Sequence, residues 1–241
     1  MTEALDPKVK DLLERVTTLR NNAQDARLNA RKETTAPGER TQLFKDAADD
    51  FQHAITDLER GLRTVRRQQD GYNVNVCGIL KALSETYGSL GGTWRDARDL
   101  EQAEKFYDIG NEYERERRTN CGDKDTYNML QRLIIRALRK PALVNDAKFL
   151  EEIKEVRAEL QRQNRTDSWA LADRVLTEFL CGSSAEQFIK ELEYGDAAPT
   201  FYQSTYEAVT ALIKGGLGQE GELGNRLESF RRLLQRKGGL P

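Results

Sequence analysis

Five prolines in 241 residues leave most of the chain free to stay helical, because proline inside a helix removes a hydrogen bond and clashes with the preceding turn. No apolar run approaches the roughly 20 residues that span a bilayer, and the opening MTEALDPKVK lacks the hydrophobic stretch of a signal peptide. A cytoplasmic chain with no membrane partner is therefore expected. Neither charge sign dominates: 38 basic and 40 acidic residues sum to −2, so no global field draws nucleic acid or an anionic membrane. Cysteine is scarce, and Cys77, Cys121 and Cys181 are widely spaced, odd in number and outside any CxxC pair. Reduced thiols in a reducing compartment are expected, with Cys77 and Cys181 as small core residues and Cys121 exposed in a polar loop. The single histidine, His53, offers no second imidazole for a metal site or a relay. P-loop, GxGxxG after a strand, HExxH and GxSxG are all missing. No catalytic residue, metal site or cofactor is assigned, and a non-enzymatic role is expected.

What the sequence does contain is helical periodicity almost throughout. Charged residues at 32% against hydrophobic ones at 38% suit thin helical layers with much exposed surface. Ten helices are expected. Asp6-Pro7 opens the first as N-cap and first-turn proline, with Val9, Leu12, Leu13, Val16 and Leu19 on one stripe that fades near Glu33. The second, after Pro37-Gly38, spaces Leu43, Ala47, Phe51, Ala54, Ile55, Leu58, Leu62 and Val65 by threes and fours up to the Asp70-Gly71 break. The third carries Val76, Ile79, Leu80, Leu83, Tyr87 and Leu90, turns near Ala97-Arg98, and pairs with a fourth carrying Leu100, Ala103, Tyr107 and Tyr113. A fifth (Tyr127, Leu130, Leu133, Ile134) stops at Pro141, and a sixth carries Leu150, Ile153, Val156 and Leu160. Asp167 or Ser168 caps the seventh, which Gly182 closes. Ser183 with Glu186 resembles a capping box for a short eighth. Pro199 opens the ninth, Gly215-Gly216 ends it, and Leu223, Leu227, Phe230 and Leu234 mark the tenth before a fraying tail at residues 237–241.

One segment is more specific. In YGSLGGTWRDARDLEQAEKFYDIG, Tyr87, Leu90, Gly91, Trp94, Ala103, Tyr107 and Gly110 stand at the spacings of a tetratricopeptide repeat. Gly91 and Ala103 would let two antiparallel helices approach, while Tyr87, Trp94 and Tyr107 fill the gap to the next hairpin. Arg115, within YERERR, stands where the repeat's closing proline belongs, which suggests that the second helix runs on. The segment resembles a tetratricopeptide repeat. The resemblance implies an all-α solenoid of about five antiparallel hairpins as a single helical-repeat domain over 1–241: a long hairpin at 6–68, the best-matching repeat at 72–118 and irregular repeats over 123–237.

A broader likeness covers residues 75 to 215. The succession SLGGTWRDARDLEQAEKFYDIGNEYE, TYNMLQRLIIRAL, NDAKFLEEI, DSWALADRVL and TFYQSTYEAV is similar to the helical regulatory region of apoptosis-signal-regulating kinases and its bacterial relatives. That resemblance implies a non-catalytic adaptor whose partner is another protein or peptide, such as a signalling or effector protein. Helical phase offers Glu85, Arg95, Asp96, Asn128, Arg132 and Arg136 as exposed residues of a partner-binding groove. The alternative is nucleic-acid binding through Arg60, Arg63, Arg66 and Arg67 or Arg231, Arg232, Arg236 and Lys237. Each of these clusters lies at a helix C-terminus, where the dipole alone favours cations.

Overall fold

The computed structural model describes residues 4–32, 34–68, 71–123, 125–163, 167–217 and 221–240. Among these the chain is all-helical, with ten α-helices and no strand. It partitions into two compact units, Met1–Arg132 and Leu133–Pro241. Glu33, Asp70 and Pro241, which entered the sequence reading as a helix end, a break and a tail, lie outside the described residues.

The first unit holds α1 (Pro7–Ala30), α2 (Pro37–Gln68), α3 (Val74–Asp96), α4 (Leu100–Asn120) and the first part of α5 (Tyr127–Arg139). Asp6 caps α1 as expected, its carboxylate accepting the Lys8 N–H at 2.8 Å. Asn73 caps α3 by accepting from Asn75 and Val76, and Asp99 caps α4 by accepting from Gln102. These short polar side chains each satisfy donors that a helix start leaves unpaired. The α3–α4 corner puts Arg98 in the left-handed region, at φ 66°. Helix α2 lies against both α1 and α3, and its stripe is buried from Ala47 to Val65. At the start of that helix Phe44 is buried and Leu43 only half-buried.

The fate of two cysteines differs from expectation. Cys77 in the first turn of α3 and Cys121 at the C-cap of α4 form a disulfide across 44 residues. Antiparallel pairing sets the start of α3 beside the end of α4, which brings the two Cα atoms to 5.8 Å, a normal bridging distance. Judging each thiol by its sequence neighbours hid this meeting. The premise for a reducing compartment, three separated thiols, goes with it.

The second unit continues α5 and adds a 3₁₀ turn (Pro141–Asn145), α6 (Ala147–Gln163), α7 (Ser168–Leu180), α8 (Glu186–Tyr194), α9 (Pro199–Leu212), a π turn (Ile213–Leu217) and α10 (Glu222–Gly238). Phe149, Ile153 and Val156 of α6, Val175 and Phe179 of α7 and Phe230 and Leu234 of α10 are buried, with Phe149 taking the core place expected of Leu150. Asp167, not Ser168, is the N-cap of α7 and accepts the Ala170 N–H at 3.2 Å. The capping box at Ser183 does not form. Gly182, at φ 71°, closes α7 so that the Ser183 N–H bonds back to the Glu178 carbonyl, and α8 starts instead from Ala185 with no side-chain cap. Nor does the tail begin at Lys237: α10 runs to Gly238 and ends on left-handed Gly239. Among the described residues, no helix is long and apolar enough to cross a membrane.

Candidate functional site

The residues of the repeat pattern meet where α3 packs on α4. A Cβ on Gly91 would stand 3.0 Å from the Tyr107 ring, so the two helices approach where glycine leaves room. Ala103 and Tyr107 are wholly buried, Leu90 nearly so, and Trp94 packs partly buried against the same core. Tyr87 stacks on Tyr113 and Phe106 and donates its hydroxyl to Glu59 of α2 at 2.9 Å. Gly110 serves a different neighbour: a Cβ there would reach 2.6 Å from the Asn128 amide.

Asn128 was expected on the surface of a groove, but it is buried at 1% exposure. It wedges between Gly88 and Gly110 and donates its amide to the Ser84 carbonyl and to Glu114. Glu114 in turn accepts the backbone N–H groups of Asn128 and Met129 at 2.7 and 3.2 Å. It therefore caps α5 from the neighbouring hairpin. Burial pushes the Glu114 carboxyl up to about 8, reinforced by Asp125, against those N–H donors and Arg118. Arg117, also buried, is held by Asp123 with Asp125 at 4.0 Å. The signal for both lay in the spacing. Ala103, Tyr107, Gly110, Glu114 and Arg117 step by fours and threes along one stripe of α4, so the carboxylate and guanidinium fall on the buried face.

The other candidates gather along a seam between α1 and α3. Contacts Asp6–Asn75, Arg20–Glu85 and Arg27–Asp96 join the two helices at sequence separations of 69, 65 and 69, a near-constant offset that means parallel helices in fixed register. Glu85 is half-exposed and pairs with Arg20 at 2.9 Å. Asp96 is the hub of the seam. Arg27 donates to it from Nε at 2.7 Å, with Nη2 also 2.7 Å from the same carboxylate oxygen; Arg95 donates through Nε and Nη2 at 3.2 and 3.1 Å; and Arg31 stands 3.8 Å away. Burial disfavours the ionised Asp96, but Arg95, Arg27 and Arg31 overcome it and hold the carboxyl below its ordinary range. Arg95 also reaches Gln131 of α5 at 3.2 Å, and Arg132 pairs with Asp108 at 3.5 Å.

Arg95 and Asp96 are thus nearly enclosed, unlike the solvent-facing residues that helical phase suggested, because each spends its charge on the seam. Arg136 does not join them: it belongs to the second unit, bonded to Glu152 at 2.8 Å and lying over Phe149. The sequence reading missed Arg27 and Arg31, whose four-residue spacing beside Ala23 and Ala30 was the available clue.

The arginine-rich helix ends are largely matched by carboxylates. Arg231 and Arg232 share Glu228, whose carboxyl is held down at about 2 by its bond from Arg231. Arg236 meets Glu193 and Arg66 meets Glu116, which leaves less charge for phosphates. The second unit has a half-open cleft of about 660 Å³ walled by Leu150, Phe179, Leu180, Leu217 and Leu223, with the half-buried thiol of Cys181 at its edge. No protein-family model, curated protein or solved structure matches this chain.

Proposed function

We propose that the chain is a non-catalytic helical-repeat scaffold, a tetratricopeptide-like α-solenoid that captures a partner protein or peptide on the face where α1 and α3 lie side by side. The observation that carries this reading is the fixed parallel register of α1 and α3, with α2 behind both. Stacked hairpins place their first helices in such a row and so build an extended binding face. The close packing at Gly91, Tyr107 and Ala103 supports the repeat assignment, and the likeness to kinase regulatory regions supports adaptor work. Asn128 leaves the binding set, because it lies under the surface. Arg20, Lys81 and Glu85 keep charge toward solvent, whereas Arg132 is mostly buried against Asp108.

The test is capture by the immobilised chain, followed by the same capture with Arg20→Glu/Lys81→Glu. The partly exposed pairs these residues make are each worth less than about 1 kcal/mol, so the fold is retained. Loss of the captured protein in this variant, with retention in the control Arg232→Glu at an exposed position of α10, is the expected result. Equal capture by all three proteins would remove the α1–α3 face.

A further inference from the structure

The outer side of α2 carries its charge in two separate blocks. Residues 46–59 hold five carboxylates and no lysine or arginine, and residues 60–68 hold four arginines and no carboxylate. Helical spacing brings part of each block onto one stripe: Asp46, Asp49, Thr56, Arg63 and Arg67 lie three, four or seven residues apart, and all are exposed. At 1.5 Å per residue the stripe is about 32 Å long. It lies on the side of α2 away from the buried stripe that packs on α1 and α3. The helix dipole accounts for little of the pattern, because it acts within the terminal turns, and Asp46, Asp49 and Arg60 each lie more than two turns inside α2. Within the chain Arg60 meets Asp57 at 3.6 Å and Arg66 turns to Glu116. Among the described residues Asp49, Arg63 and Arg67 make no ion pair.

We propose that this stripe is a self-association surface, on which a second copy of the chain lays its own α2 antiparallel, with Thr56 at the two-fold axis. The stripe is symmetric about that residue: Asp49 and Arg63 each lie seven residues from it, and Asp46 and Arg67 ten and eleven. The antiparallel copy therefore sets Asp49 opposite Arg63 and Asp46 opposite Arg67, each pair occurring twice because a two-fold interface repeats every contact. His53, an acceptor when neutral, falls opposite Arg60. A parallel copy would set acid on acid and arginine on arginine, so the charge order selects one orientation. Exposed ion pairs are individually weak and screened by salt, and the association is accordingly reversible. It does not depend on the scaffold reading, which uses the α1–α3 face.

The experiment is sedimentation of the full chain across protein concentrations at low and high salt. The Debye length falls from about 30 Å at 0.01 M to about 3 Å at 1 M, so the parent should dimerise in the first condition and be monomeric in the second. Arg63→Glu/Arg67→Glu and Asp46→Arg/Asp49→Arg change only exposed positions. Each should weaken dimerisation at low salt by more than about tenfold, because four attractive pairs become repulsive. Mixing the two variants should restore association. The quadruple variant, which reverses both halves and keeps the parent's net charge, should restore it too, and that separates pairing from general repulsion. A parent that stays monomeric at low salt, a dimer that persists at high salt, one that either reversal leaves unchanged, or a folded quadruple variant that stays monomeric would each overturn the proposal.

Discussion

The two units are built from the same kind of element and held by different means. Helices α1 to α4 run to 24, 32, 23 and 21 residues, three of them start from side-chain caps, and a disulfide clips α3 to α4. In the second unit α6 to α10 run to 17, 13, 9, 14 and 17 residues. Helices α8, α9 and α10 start from Ala185, Ala198 and Gly221 without a side-chain cap, and 3₁₀ and π turns join the pieces. Isolated helices shorter than about 12 to 15 residues are marginal in water. The short ones here therefore depend on aromatic packing such as Trp169 on Phe201 and Phe179 on Phe230, whereas the first unit combines long buried stripes with a covalent tie; ion pairs between helices, such as Arg27–Asp96 and Arg136–Glu152, serve both.

The largest expected effect removes the covalent tie. A bridge across 44 residues restricts the unfolded chain by about 4 kcal/mol, so Cys77→Ser/Cys121→Ser, or reductant, should lower melting by about 10 °C. Hydrogen exchange should show the loosening in α3 and α4 and leave α6 to α10 unchanged; a uniform loss would erase the contrast between the units. Next is Glu114. Its folded pKa of about 8 lies above the ordinary 4.5, so its contribution is complete below 4.5 and is lost as pH rises through about 8. Urea midpoints of the parent should fall over that window, and Glu114→Gln should flatten the fall.

A smaller effect, about 1 to 3 kcal/mol of overpacking, is expected for Gly91→Leu against the Tyr107 ring. Gly91→Ala should fail to show the roughly 1 kcal/mol gain that alanine brings to an open helix. Melting no lower for Gly91→Leu than for the parent would contradict the α3–α4 contact. The smallest change moves the second unit toward the first: Ala198 has extended N-cap geometry before Pro199 and no capping bond, so Ala198→Ser should add about 1 kcal/mol.

Much of the fold was legible because stripes of apolar residues at three- and four-residue spacing and caps such as Asp6 are local signals. The site was less so. Gly91 could be placed against α4 from spacing, beside Ala103, but the ring it meets is that of Tyr107, expected to fill the gap to the next hairpin, and Asn128 reads as surface until Gly88 and Gly110 are seen to leave a slot for it. Cys77 and Cys121 find each other only through the antiparallel path of α3 and α4. Arg27 and Asp96, 69 residues apart, meet through a register that no local window contains.

That register is what the proposed binding face rests on, and cross-linking of the captured complex with mass-spectrometric mapping tests it most directly. Lys81, beside the α1–α3 seam, and Lys154, on α6 of the second unit, are about equally exposed, at 62% and 61%. Partner cross-links at Lys81 and not at Lys154 are the result expected of a scaffold that binds on α1 and α3; cross-links at Lys154 with Lys81 left unmodified would contradict it.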